Sequence, residues 1–228
     1  MNIWVGGLWA GVLLALAGAA ANAQSPAALT AQQTQRIDEY ANTAMTSMHV
    51  PGMALAVVRD GNVVYRRGFG VKNTTTKAPV DANTNFEIGS ITKQFTAAAV
   101  LQLAEQGKLR LDDPLGKYTA AYLPARGVTI RQLLNQVTGI PNYTDVNHFE
   151  SIAPKTKPSF ARMIGFIAKK PLAFAPGTKW AYSNTNYILL GKVIEAASHE
   201  SYTAYLFEHV VKPAGMSHTV TMDEERSL

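Results

Sequence analysis

Between Ile37 and Met48 the apolar positions Ile37, Tyr40, Ala41, Ala44, Met45 and Met48 recur three and four apart, the rhythm of one helix face. Thr30 with Gln33 makes a capping box, so the helix is expected from Thr30, with Pro51-Gly52 as its stop. Two β-rich runs in "MALAVVRDGNVVYRRGFG" then flank Asp60-Gly61, a short-turn signal that predicts a hairpin. The tract "KNTTTKAPVDANTN" reads as loop. From Phe86 the character changes. The apolar run Ile91 to Leu103 predicts a long helix stopped by Gly107. Thr129 with Gln132 opens "TIRQLLNQ", and Ser159 caps "FARMIGFIAKK". Two further helical runs follow, "NYILLGKVIEAAS" and, from Ser201, "YTAYLFEHVV", the last ended by Pro213 and Gly215. The pattern is a helix and a hairpin followed by a mostly helical second half, with no internal repeat.

The chain has 228 residues, 47% of them hydrophobic and 16% charged, which is globular composition. The net charge of +5 comes from scattered Lys and Arg, so nucleic acid is not expected as a partner. Cysteine is absent, which removes disulfides, thiol nucleophiles and thiolate metal sites. The histidines at 49, 148, 199, 209 and 218 have no metal-ligand spacing, so neither metal nor cofactor is expected. Residues 1–23 read as an export signal. "IWVGGLWAGVLLALAGAA" is apolar and uncharged, and Ala21-Asn22-Ala23 offers small residues for cleavage before Gln24. No Lys or Arg precedes the apolar run, and an uncleaved membrane anchor is the alternative. Either way the body of the protein is expected in the periplasm or outside the cell. The sequence sets no oligomeric state.

Ser90 and Lys93 stand three apart at the expected helix start, so both lie on one face. A serine hydroxyl attacks poorly until a base removes its proton, and a lysine becomes that base when desolvated. The positive end of the helix dipole favours developing negative charge there, and the Ser90 N–H is placed to form half an oxyanion hole. A Ser-x-x-Lys occurs about once by chance in a chain of this length, so the pair alone is also consistent with a helix cap and a solvated lysine. Its apolar setting, "IGSITKQFTAAAV", favours the chemical reading. A second motif follows at Tyr182-Ser183-Asn184. In an extended segment residues i and i+2 point the same way, so Tyr182 and Asn184 are expected to face one cavity. A phenol near a lysine exchanges or delivers a proton, and the Asn amide holds either a substrate carbonyl or the lysine. The plainer reading of Tyr182 is a buried aromatic with a satisfied hydroxyl. Tyr40 and Asn42 repeat the spacing but lie mid-helix, where i and i+2 diverge.

"SITK", "LLNQVTGIPNY" and "PGTKWAYSNTNYILLGKVIE", in that order, resemble the serine β-lactamase and penicillin-binding-protein family, nearest the class C β-lactamase and esterase branch. The resemblance covers about Thr30 to Met216. It implies an α+β fold: a partial α/β sheet domain (helix plus hairpin) packed on an all-helical domain. The boundaries are 24–85 for the sheet part and 86–228 for the helical part. It implies an acyl-enzyme at Ser90, with Lys93 as base, Tyr182 as proton shuttle and Asn184 orienting the substrate amide. The implied partner is a β-lactam, a D-Ala peptide or a small ester.

Two departures qualify that picture. The family's His-Thr-Ser-Gly-like run is Gln136-Val137-Thr138-Gly139 here, a region taken as structural. The family's third motif, K-[ST]-G or H-x-G on a later strand, is absent from the sequence, and the chain reads as cut short of its C-terminal strands. Loss of one oxyanion donor costs ~10²–10³ in turnover, so the expectation is an inactive or unstable chain derived from a serine hydrolase. The competing expectation is a non-catalytic binding protein, a pseudoenzyme, on the same scaffold.

Overall fold

The structure is a computed structural model that describes residues 28–81, 83–146 and 159–221. The signal-peptide reading of residues 1–23 lies outside the described residues. The chain forms two compact units that meet in sequence at Thr84 and Asn85. Among the described residues no helix is long and apolar enough to cross a membrane.

The first unit holds α1 (Ala31–Met48), β1 (Gly52–Arg59) and β2 (Asn62–Gly70). Thr30 and Gln33 exchange bonds in the expected capping box. The helix ends earlier than Pro51-Gly52. His49 takes the left-handed conformation (φ 54°) and its N–H returns to Met45 and Thr46, which closes the last turn. The antiparallel hairpin turns on Asp60 (φ 50°) and Gly61 (φ 76°), a left-handed pair that matches the strand twist. A register shift between Val57 and Val58 bulges one strand. Asp38 of α1 accepts from the Tyr65 hydroxyl and, at 2.5 Å, from Arg67 of β2. Burial in this unit is sparse, with Ala41, Phe69 and Val80 inside.

The second unit is helical. A 3₁₀ turn, Gly89–Ile91, leads into α2 (Thr92–Glu105). Then come α3 (Ile130–Leu134), α4 (Phe160–Gly165), α5 (Asn184–Ser198) and α6 (Tyr202–Leu206), which widens into a π turn at Phe207–Val211. The caps at Thr129, Ser159 and Ser201 stand where the sequence places them. The helices of the middle stretch are shorter than their apolar runs. Gln136 goes left-handed (φ 60°) just after α3, which a helix does not tolerate. The core is built between α2 and α5. Thr96, Ala99, Val100 and Leu103 line one face of α2, and Leu189, Leu190, Val193 and Ile194 line α5. Each of the buried Val, Leu and Ile side chains contributes about 1.5–3 kcal/mol by leaving water. That packing sets the start of α2, with Ser90 and Lys93, against the start of α5, with Asn184.

Candidate active site

Four polar side chains from two distant stretches meet. Ser90 lies in the 3₁₀ turn and Lys93 in the first turn of α2, and Lys93 Nζ donates to Ser90 Oγ at 3.2 Å. Tyr182 lies in the extended run before α5, and its hydroxyl oxygen is 2.6 Å from Ser90 Oγ. Asn184 opens α5. Its Oδ1 accepts from Lys93 Nζ at 2.7 Å and from the Tyr182 hydroxyl at 3.1 Å. All four sequence-predicted site residues are thus brought together. Of the two partners the sequence leaves open for the Asn184 amide, its oxygen takes the lysine.

The electrostatics distinguish Tyr182 from the two phenols that interact with it, Tyr143 and Tyr187. Burial raises Tyr143 and Tyr187, and repulsion from Tyr182 adds to it. For Tyr182 burial also raises the phenol, yet hydrogen bonds to Lys93 and Ser90 and the lysine charge outweigh it, so the net shift is downward. Lys93 Nζ lies 4.8 Å from the Tyr182 ring centroid and 5.6 Å from that of Tyr187, within the range of cation–π attraction. The apolar neighbours do not bury the serine: Ser90 is exposed, Ile91 is 55% exposed and Ile88 43%. They flank the nucleophile at the surface, and the aromatic rings form the wall around the lysine. The plainer reading of Tyr182 as a buried aromatic also fails, since it is 42% exposed.

Several positioning residues escaped the sequence reading. Asn142 Oδ1 accepts the Asn184 N–H at 3.0 Å, and Asp145 holds Asn142 in turn at 2.9 Å. Thr144 Oγ1 accepts from Asn184 Nδ2 at 3.4 Å. These bonds orient the amide with its oxygen toward Lys93. Tyr187 was findable, because it stands three residues after Asn184 on the same helix face. Asn142 and Thr144 were not, because their contacts span about forty residues of sequence. The run Gln136 to Gly139 pairs with the segment that precedes α5. Val137 O accepts from Gly177 N–H and Gly139 O from Ala173 N–H, both at 2.7 Å. Among the described residues no group of three or more His, Asp or Glu side chains is arranged to hold a metal ion. His209 instead pairs with Glu200 at 3.0 Å.

The family model described as Beta-lactamase matches residues 37–226. Protein flp of Staphylococcus aureus (strain MW2) is 34% identical over 196 residues, 84% of this chain and 39% of that protein. The structure of the octameric penicillin-binding protein homologue from Pyrococcus abyssi superposes with a TM-score of 0.77 at 33% identity, covering 85% of this chain and 46% of that one. The D-alanine carboxypeptidase AmpC from Burkholderia cenocepacia gives 0.68 at 29% identity, with 83% and 51% covered. The chain therefore spans roughly two fifths to one half of the length of these proteins. With a Ser-Lys-Tyr-Asn cluster assembled at the junction of α2 and α5, and the family match running through both, this chain belongs to the Beta-lactamase family of serine hydrolases.

Proposed function

We propose that the protein is an exported hydrolase that forms an acyl-enzyme at Ser90, acting on a D-alanyl peptide, a β-lactam or a small ester. The 2.6 Å contact between Ser90 Oγ and the Tyr182 oxygen carries the reading. Tyr182 is closer to the serine than Lys93 is, and its phenol is the one lowered, so we assign Tyr182 as the immediate proton acceptor. As a phenol it donates to Asn184; as a phenolate it accepts from Ser90. Ser90 Oγ attacks the carbonyl carbon while its proton passes to the Tyr182 oxygen. Collapse of the tetrahedral intermediate breaks the bond to the leaving group, which takes that proton. Water then attacks the acyl-enzyme, gives its proton to Tyr182, and the released Ser90 oxygen recovers it. Lys93 supplies the positive charge that makes the phenolate accessible, and Asn184 holds Lys93 in place. The long bond from Asn184 Nδ2 to Thr144 leaves that end of the amide able to turn to a substrate carbonyl.

The substrate class draws support from the relatives' names, penicillin-binding protein and D-alanine carboxypeptidase. Export draws support from the apolar lead and Ala21-Asn22-Ala23. The test is covalent trapping with labelled penicillin and with a fluorophosphonate. A mass adduct on Ser90, absent in Ser90→Ala and slowed in Tyr182→Phe, is expected. A folded protein that takes up neither probe would instead be a binding protein on this scaffold.

A further inference from the structure

We propose that Gln136 is the positioning residue that sets Tyr182 against Ser90. Tyr182 sits in an extended run with no helix or sheet of its own to hold it. The peptides on both sides of it are tied to Gln136. The Ala181 N–H donates to the Gln136 carbonyl at 3.0 Å, and the Ser183 N–H donates to Gln136 Oε1 at 3.0 Å. The same Oε1 accepts from Asn186 Nδ2 at 2.5 Å, in the first turn of the helix that carries Asn184. One residue thus fastens the chain before Tyr182, after Tyr182 and at the start of α5.

Gln136, Ser183 and Asn186 are all buried, so water does not compete for these bonds. The far end of the Asn186 amide is fixed as well. Thr138 donates to Asn186 Oδ1 at 2.8 Å and itself accepts the Ile140 N–H at 3.0 Å. Gln136 has φ 60°, a left-handed backbone that residues other than glycine seldom adopt. Such a conformation persists where the surroundings demand it, and here it lets one residue present both its carbonyl and its amide to a single strand of chain. The bonds of Gln136 run to the chain around Tyr182, so its effect on the reaction passes through the phenol. A displacement of one ångström would carry the phenol from 2.6 Å to beyond hydrogen-bond range of Ser90.

The inference rests on the acyl-transfer reading of Ser90, and its test separates the two. Gln136→Met keeps the side chain's length and removes the accepting oxygen; Gln136→Glu keeps that oxygen. Both are made in the whole protein. Fluorophosphonate labelling of Ser90 reads the reaction, and ¹³C NMR of tyrosine-labelled protein, assigned with Tyr182→Phe, reads the phenol. Gln136→Met is expected to slow labelling by about 10- to 100-fold and to move Tyr182 ionisation to higher pH. Gln136→Glu restores most of both. In a Tyr182→Phe background Gln136→Met adds no further loss of rate. A Gln136→Met protein that labels at the parental rate overturns the proposal, as does an equal loss in the Tyr182→Phe background. Should Gln136→Met fail to fold, Gln136→Glu decides: slow labelling with an unmoved tyrosine signal overturns the proposal. If the unsubstituted protein takes up no label, the acyl-transfer reading falls, while the tyrosine signal still decides whether Gln136 controls Tyr182.

Discussion

The two units of the chain are held by different means. In the hairpin unit the strands satisfy their own backbone bonds, and few side chains are buried: Ala41, Phe69 and Val80. Val58 and Val63 of its strands lie open to solvent. In the helical unit a continuous core runs from Ala99 to Leu206, and every residue of the candidate site hangs from it. The lesson is that a hydrogen-bonded ladder specifies local geometry, whereas chemistry that needs groups fixed within a few tenths of an ångström is built on packed side chains.

Substitutions can break that contrast at several strengths. The largest effect is expected from Lys93→Met. It removes the charge that offsets burial at Tyr182, so the phenol should ionise above the ordinary value of 10.0 rather than below it. Turnover should fall by about 10²–10⁴-fold. The rising limb of kcat/KM against pH, set by phenolate formation, should move to higher pH. A limb that stays in place would remove Lys93 from control of Tyr182. Next, Leu103→Ala in the core of α2 should cost about 2–5 kcal/mol in denaturant unfolding, while Val63→Ala in the hairpin should stay within about 0.5 kcal/mol.

Two glycines sharpen the comparison. Both have positive φ, but a Cβ at Gly139 would lie 2.3 Å from the Phe174 carbonyl oxygen, whereas one at Gly61 would meet nothing within 4 Å. Gly61→Ala should therefore cost only the backbone term, about 1–2 kcal/mol. Gly139→Ala should cost more and also slow Ser90 labelling, because Phe174 belongs to the segment that leads to Tyr182. Equal effects at the two sites would mean that packing around residue 139 yields freely. The smallest effect is at Asp113. Bonds from Lys117, Tyr118 and the Arg110 N–H hold its carboxyl down at about 2. A depressed folded value means that its stabilisation is complete above the ordinary value of 3.8 and is lost as pH falls toward 2. Asp113→Asn should lower stability modestly at neutral pH and flatten the acid limb of the unfolding curve, so that the two proteins converge as pH falls toward 2.

Local structure was readable from the chain wherever its cause is local. The capping boxes at Thr30 and Thr129 span four residues, the hairpin turn two, and the α2 and α5 faces follow from apolar spacing. Ser90 and Lys93 were legible for the same reason. Tyr182 and Asn184 were legible as a spaced pair and through the resemblance, but nothing local says which of two partners the Asn amide takes. The exposure of Ile88 and Ile91 was not legible, because apolarity in sequence does not tell which side of a helix start faces the core. Gln136 was set aside as structural. Its bonds to residues some forty-five positions on depend on two loops meeting, and its left-handed backbone has no glycine to announce it.

The distance along the chain between Ser90 and Tyr182 has a further consequence. Ninety-two residues separate two oxygens that end 2.6 Å apart, so the nucleophile cannot be awakened until the last helices have docked. An adduct on Ser90 is therefore a clock for maturation as well as an assay. During refolding, label uptake should lag behind the return of helical circular dichroism, and the protein should stay chemically silent until its topology is complete.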